Sequence, residues 1–424
     1  MNYHYFHLVA DLPQLEPEQR AVLPLFCDFF TDVGAGVHDY LEMQMRQASV
    51  SGGIRARTSF RSPVHSLEHP KAYFVLAGKA LARNQSALIE LLRDTFHGAR
   101  FDELDRLREL VSQARVHAES QITDSGHSLA LIAASAGFSR CAALEHEWGG
   151  LAGLRRLQLL DDSIRNPDVL ERLGASFTAL RERLNSCPRE VLLVAEPSTT
   201  SSLYDTFTAK WGHFNQKAPD GTALSKHRPR FTPAKISSAW TTNTQVNFCA
   251  HAYPAPPQGH PDAAPLRVLG GYMRNGYLHR AIREQGGAYG AGAGYSADAG
   301  AFRFFSYRDP RLEDTLSDFR RSIEWLLKGD HPERLLEEAI LGVVGEIDRP
   351  DSPAGEASIA YFSTLHGRSN RERRAFRQRT LQVKKSDLNR VCELYLANTD
   401  PSVCVVTSTD ALNGAPALSE FDRH

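Results

Sequence analysis

The string His65-Ser66-Leu67-Glu68-His69 carries the residue types of a metal site. Two imidazoles at i and i+4 with a carboxylate just before the second form the inverted motif by which a helix presents two zinc ligands and a general base. That chemistry needs a helix, because only a full helical turn puts both rings on the same side. Here Pro63 precedes the string, Pro70 follows His69 directly, and strand-like patterns flank it on both sides. Prolines so placed disfavour a helix, so the segment reads as a loop between strands and His65, Glu68 and His69 as a chance motif. The competing reading is a real zinc site, for which the spacing offers Glu145 or Glu147 as a third ligand.

A second signal runs from Ile282 to Tyr295, I-R-E-Q-G-G-A-Y-G-A-G-A-G-Y. It is not a phosphate loop, because no Lys-Ser/Thr pair follows, and it leaves a helix and enters a strand, the reverse of a dinucleotide fingerprint. Gly and Ala alternate from Gly290 to Gly294, where a strand ordinarily carries branched side chains. A strand so stripped admits another backbone, either an extended peptide adding by main-chain hydrogen bonds or a helix of the same chain packed tightly upon it. The dense basic run at Arg368, Arg371, Arg373, Arg374, Arg377 and Arg379 is interrupted by Glu372 and reads as a solvated helix face. The histidines at 4, 7, 251, 260 and 279 have no ligand spacing, and no G-x-S-x-G elbow is present.

These residues must be held by a framework of two to three domains, since the chain has 424 residues. With 42% hydrophobic and 23% charged residues it has a globular composition, and 49 Lys+Arg against 50 Asp+Glu gives no net field to favour nucleic acid. The six cysteines are scattered without C-x-x-C, as buried free thiols are. Leu129–Gly137, the longest largely apolar run, is far too short for a membrane span. Along the chain the patterns read as a strand at 3–12, helices at 16–32 and 37–47, strands at 50–60 and 72–81, a helical block at 85–184, a strand at 190–196 and a closing helix to about residue 210. A Pro- and Gly-broken stretch, 213–233, reads as a linker. The order then repeats: strand 244–253, helix 265–283, strands 287–296 and 301–308, helices 312–397 and strand 403–407. The expected fold is α+β, two homologous sandwich repeats with an antiparallel or mixed sheet covered by helices.

At Ile282–Gly290, followed by Phe304-Phe305-Ser306-Tyr307-Arg308-Asp309-Pro310, the sequence resembles the C-terminal half of the insulinase/pitrilysin family of zinc peptidases, most of all the presequence-protease branch. L-P-L-F-C-D-F-F-T-D-V-G-A-G near the start and Gly52-Gly53-Ile54 resemble the opening of that half. The resemblance implies four homologous domains forming two halves around a chamber, with zinc and its H-x-x-E-H helix in the first domain. An Arg and a Tyr from the fourth domain reach across to the substrate, and carried onto this sequence they are Arg283 and Tyr289. Gly286, Gly287, Ala288 and Gly290 beside them would border the bound peptide, and the two donors would hold its carbonyl and stabilise the oxyanion. The family's zinc helix aligns with residues 22–33, where Leu25, Asp28 and Phe29 stand in place of His, Glu and His. An apolar pair cannot ligate zinc.

The resulting expectation is two domains, 1–212 and 234–424, forming the non-hydrolytic half of a zinc endopeptidase. The chain alone would be inactive and bind no cofactor. Zn²⁺ would sit in a missing N-terminal half, its partner in cis or in trans, and the substrates would be unfolded peptides, with neither nucleic acid nor membrane as partner. The alternative from another class is a non-catalytic peptide-binding or scaffold subunit; no compartment is assigned. The loop reading of residues 65–69 predicts that zinc titration gives the same result for the unmodified chain and for His65→Ala. Stoichiometric binding abolished by that substitution would establish the metal site instead.

Overall fold

The computed structural model describes residues 3–212, 218–223 and 231–424, so the expected linker falls largely outside the described residues. One sheet holds β1 (Tyr3–Asp11), β2 (Ile54–Arg61), β3 (Lys71–Leu81) and β4 (Arg189–Val194) in the antiparallel order β2-β3-β1-β4, with β5 (Thr222–Ala223) paired to the start of β3. The other is mixed and contains β6 (Ser237–Thr241), β7 (Phe248–Pro254), β8 (Gly290–Ser296), β9 (Ala301–Tyr307), β10 (Ser402–Thr407) and β11 (Asp422–Arg423). Its order is β11-β6-β10-β7-β9-β8, with β6 parallel to both β10 and β11.

The helices of the first half are α1 (Pro17–Phe29), α2 (Tyr40–Val50), α3 (Gln85–Gly98), α4 (Leu104–Ser135), α5 (Arg140–Gly149), α6 (Leu151–Ser163), α7 (Pro167–Leu184) and α8 (Thr200–Trp211). Those of the second are α9 (Ala263–Met273), α10 (Glu313–Lys328), α11 (Glu333–Ile347), α12 (Pro353–Leu365), α13 (Asn370–Leu381), α14 (Lys385–Cys392) and α15 (Thr409–Asn413). The expected α+β class with two helix-covered sheets is the observed architecture. Local chemistry accounts for shifts at the element ends. The second helix starts at Tyr40 rather than Val37 because Asp39 caps it, its carboxylate accepting from the Glu42 amide at 2.8 Å while Glu42 returns the bond. The same helix runs on through Val50, which delays β2 to Ile54.

Period-2 alternation sends Phe6, Leu8 and Ala10 of β1 into the first core, beneath Phe26 and Phe30 of α1 and its end. Phe26 lies 5.2–6.2 Å from the rings of Phe30, Phe74, Phe101 and Phe177. In the second half, Cys249 and Tyr253 of β7 and Phe302 and Phe304 of β9 face α9, α10 and α14. The opposite face of each sheet is covered from the other half. Past a kink at Ser125 (φ −138°), α4 leaves its own core and lays Leu129, Ala130, Ala133 and Ala134 on Phe248, Ala250, Ala252 and Val406 of the second sheet. Gly126 at the kink leaves no room for a side chain, since a Cβ would stand 2.6 Å from the Phe248 ring. In return α12 sets Tyr361, Phe362 and Leu365 on Val9, Tyr73 and Val75 of the first sheet.

Polar ties fix this exchange. Asp298, between β8 and β9, accepts from the Ser62 amide and the Arg61 guanidinium, both at 3.1 Å, and from Arg368, while its carbonyl accepts from the Ser62 and Ser139 hydroxyls at 2.9 Å. Buried His366, just past α12, meets the Ser59 hydroxyl at 2.9 Å. The basic run does more in three dimensions than line a solvated face: Arg368 joins Asp298, Arg373 donates to the Ile347 carbonyl, Arg377 pairs with Asp348, and Arg379 donates to the Gly259 and His260 carbonyls.

Both the close packing and the burial can be tested in urea. A Cβ on Gly270 of α9 would stand 2.7 Å from the Gly294 Cα, so Gly270→Val should lower the unfolding free energy by about 1–3 kcal/mol. Burial holds His7, His146 and His366 at pKa values of about 4, and His251 at about 3. Their unfolded values are about 6.5, so between there and about pH 4 the unfolded chain binds protons that the folded chain refuses, and stability falls as pH is lowered through that window. Urea midpoints measured across it should fall steadily, and a constant midpoint would contradict the burial of these rings.

Candidate functional site

Of the residues singled out above, Arg283, Gly286, Gly287, Ala288, Tyr289 and Gly290 share one corner, where a helix turns into the edge strand β8. The helix is a continuation of α9: residues Arg274–Gln285 widen into a π-helix, a form concentrated at functional sites. Gly287 makes the reversal at φ +80°. Its amide donates to the Arg283 carbonyl and that of Ala288 to the Ile282 carbonyl, both at 3.1 Å, so buried Ile282 and Ala288 anchor the turn. Gly286 is required for a different reason, because a Cβ there would lie 2.0 Å from an Arg311 nitrogen. The Arg311 guanidinium in turn pairs with buried Asp318 at 3.1 Å.

Both donors project outward from this corner. Tyr289 is 69% exposed, an unusual state for a large aromatic ring, and its only ring contact among the described residues is the edge of Tyr307 at 5.5 Å. Arg283 is exposed and meets His279 Nε2 at 3.1 Å, while His279 Nδ1 faces Glu284 at 3.2 Å. A guanidinium can only donate, so that arrangement makes Nε2 the acceptor and Nδ1 the donor.

The Tyr307-Arg308-Asp309-Pro310 segment, which enters the sequence reading only as part of a resemblance, builds the other wall. Arg308 holds a left-handed φ of 48°, and its carbonyl accepts from the Tyr289 amide at 3.3 Å. Asp309 next to it is fully buried; it accepts from the Arg311 amide at 3.0 Å and the Thr315 hydroxyl at 2.8 Å. Asn247 exchanges backbone bonds with Asp309 at 2.7 and 2.9 Å, and its side chain accepts from Thr407 at 2.5 Å. Burial raises the Asp309 carboxyl above its ordinary range, and these bonds oppose the rise. The sequence signal is a polar Asp-Pro step ending an aromatic strand, which marks a turn without saying what the turn supports.

The glycines of β8 divide between the two readings. A Cβ on Gly292 would strike the Phe305 ring at 2.7 Å, and α9 rides directly on the Gly294 backbone through Gly270. A Cβ on Gly294 would itself meet nothing within 4 Å, and one on Gly290 only the Tyr307 Cβ at 4.0 Å. Packing therefore accounts for part of the stripe and leaves room above its backbone at Gly290 and Gly294.

The remaining candidates lie elsewhere. Residues 62–70 form a turn-and-bend connection from β2 to β3, with His69 at φ 55°, and do not form a helix. His65 abuts Gly259, and Glu68 approaches Arg140 at 3.6 Å. On α1, Leu25, Asp28 and Phe29 line a cleft of about 580 Å³ with Leu110 and Leu157. Desolvation and then the neighbouring Asp32 raise the Asp28 carboxyl above its ordinary range. An apolar pair flanking one such carboxyl does not fit a zinc ion. Among the described residues no group of three or more His, Cys, Asp or Glu could hold a metal.

Comparison with known proteins bears on the whole chain. The family model for the associated region of peptidase family M16, subfamily C, matches residues 3–160, and that described as PreP C-terminal domain matches residues 238–409. The mitochondrial presequence protease of Xenopus laevis is 28% identical over 414 residues, covering 92% of this chain and 40% of the relative. The chain thus spans about 40% of the length of that curated relative. In fold it is similar to the peptidase M16 inactive domain from Pseudomonas fluorescens, with a TM-score of 0.63 at 14% identity over 96% of this chain and 93% of that one. It is also similar to pitrilysin, with a TM-score of 0.63 at 16% identity over 99% of this chain and 42% of that one. The chain belongs to the insulinase/pitrilysin family of peptidases and corresponds to the C-terminal half of its presequence-protease-like members.

Proposed function

We propose that this chain is the non-hydrolytic half of a zinc metalloendopeptidase that degrades unfolded peptides, built from domains 1–212 and 234–424 joined by 213–233. Its tasks are to close a chamber over the peptide and to present Arg283 and Tyr289 to the carbonyl at the scissile bond. The observation that carries this reading is the corner itself: two exposed donors, six residues apart, set on a turn whose backbone is fixed by Gly286, Gly287, Arg308 and Asp309. A phenol and a guanidinium donate hydrogen bonds toward a carbonyl oxygen, and their effect grows as negative charge develops there. Gly286, Gly287, Ala288 and Gly290 keep the adjoining backbone free of bulk, so an extended peptide can run beside β8. The general base and the metal are assigned to an N-terminal half, because the residues at the equivalent of the zinc helix here do not fit them.

One observation favours a second reading, a non-catalytic peptide-binding or scaffold subunit. The Pseudomonas fluorescens chain, matched over nearly its full length, is described as an inactive domain. Whether the reading frame continues upstream into an H-x-x-E-H domain separates the two.

Alone, the chain is expected to hydrolyse no peptide, and activity is expected once the N-terminal half is supplied in cis or in trans. In the reconstituted enzyme, Tyr289→Phe should lower kcat by about 10²–10³ while changing peptide binding much less, the signature of a donor used mainly in the transition state. Unchanged turnover in that variant would refute the role of Tyr289.

A further inference from the structure

The first sheet carries a row of cations that the corner at Tyr289 does not use. On β2, Arg55, Arg57, Ser59 and Arg61 share one face by alternation. Pairing continues that face across β3: Arg57 lies opposite Val75 and Arg55 opposite Ala77. The next position on β2 in the same direction is Gly53, which offers no side chain, and the neighbouring strand supplies Lys79, whose side chain passes 3.1 Å from where a Cβ of Gly52 would be. Arg57, Arg55 and Lys79 therefore stand in line at steps of about 6.7 Å, the two-residue period of an extended chain.

This row faces open space. A cleft of about 560 Å³ lies between Arg55, Arg57 and Ser59 on one side and Ile359 and Phe362 of α12 on the other. It adjoins a second of about 370 Å³ that includes Gly53, Arg55 and Lys79, the two sharing Tyr5, His7 and Arg55. Among the described residues Arg55, Arg57 and Lys79 have no carboxylate partner, whereas Arg61 and Arg368 are taken up by Asp298. Arg57 is half-buried, held over the Phe362 ring at 4.8 Å. Burial, then the charges of Arg55 and Arg61, lower its pKa from the ordinary value. His7 senses the same field: burial first, then Arg57 and Arg55, hold it at about 4. Like charges crowded without counter-charge beside an open cleft destabilise the empty site and favour an anion in it.

We propose that this cleft binds an extended acidic peptide segment, with carboxylates at alternate residues meeting Arg57, Arg55 and Lys79. The three cations span about 13 Å, longer than a single phosphate or sulfate and matched by about five residues of extended chain. Ile359, Phe362 and Tyr5 give apolar surface for the side chains between the carboxylates. The site deepens the reading above, on which it rests for the ligand being a peptide, but it shares no residue with the corner at Tyr289.

Fluorescence anisotropy of a labelled Glu-Ala-Glu-Ala-Glu peptide with the 424-residue chain tests it. Saturable binding is expected, weakened by added salt, absent for Lys-Ala-Lys-Ala-Lys, and reduced about tenfold by Arg55→Glu and by Lys79→Glu, both exposed positions whose replacement leaves the core intact. Arg57→Lys keeps the charge and should keep most of the affinity. No binding of the acidic peptide, equal binding by Arg55→Glu and Lys79→Glu, or binding of inorganic tripolyphosphate without the peptide would each overturn the proposal. Loss of Tyr289-dependent turnover would not touch it, and its own failure would leave the catalytic reading standing.

Discussion

A β-sheet has two faces, and in this chain neither half can cover both of its own. The first half lends α4 to the second sheet and the second half lends α12 to the first. Burying a leucine- or phenylalanine-sized side chain contributes about 1.5–3 kcal/mol, so the apolar contacts along α4 alone are comparable to the net stability of a domain. The exchange makes the two halves one cooperative body and fixes where β8 stands relative to β2. Asp298 marks the joint, tying the β8–β9 turn to Arg61, Ser62, Ser139 and Arg368.

The exchange is unequal, and the inequality has functional consequences. The 32-residue α4 closes the second sheet so completely that Phe248, Ala250 and Ala252 of β7 are buried. The 13-residue α12 covers only the middle of the first sheet, around Val9, Tyr73 and Val75. Beyond its reach the face of β2 is left to Arg55 and Arg57, which is why an open cationic cleft lies there and not on the second sheet. The corner at Tyr289 follows the opposite rule. Its backbone is overdetermined from beneath by Asp309, Asn247, Thr315 and Thr407, so two side chains can be held outward without support of their own.

How much of this is legible in sequence depends on how far the deciding contact lies along the chain. Helix and strand periodicity places most elements, and Pro63 and Pro70 identify residues 65–69 as a loop, because those effects are local. Strand β6 has no such signal: Ser237–Thr241 is short and follows a proline-rich stretch, and its pairing with Val403–Thr407 lies more than a hundred residues away. The π-helical widening after Met273 leaves no mark in hydrophobic spacing. The alternation of Arg55, Arg57, Ser59 and Arg61 is plain in the sequence. That two of these arginines lack acidic partners while Arg61 has one depends on Asp298, which only the fold brings near. For the same reason the run at 368–379 reads as a solvated face, although four of its arginines tie elements together.

A net charge of −1 conceals this arrangement, because charges that cancel over the whole chain are sorted locally. Both functional surfaces present donors or cations, and among the described residues neither presents a metal-binding set. A general base must be held where it can take a proton, and a metal needs three or four converging ligands; a lone carboxyl such as Asp28 among Leu25 and Phe29 offers neither. Donors fixed on a rigid corner, by contrast, act on any carbonyl brought to them, whichever polypeptide delivers it. A half-protein that carries only such donors therefore has chemical use only when another surface completes the site, and the same separation lets its peptide-holding surfaces serve whether or not catalysis takes place beside them.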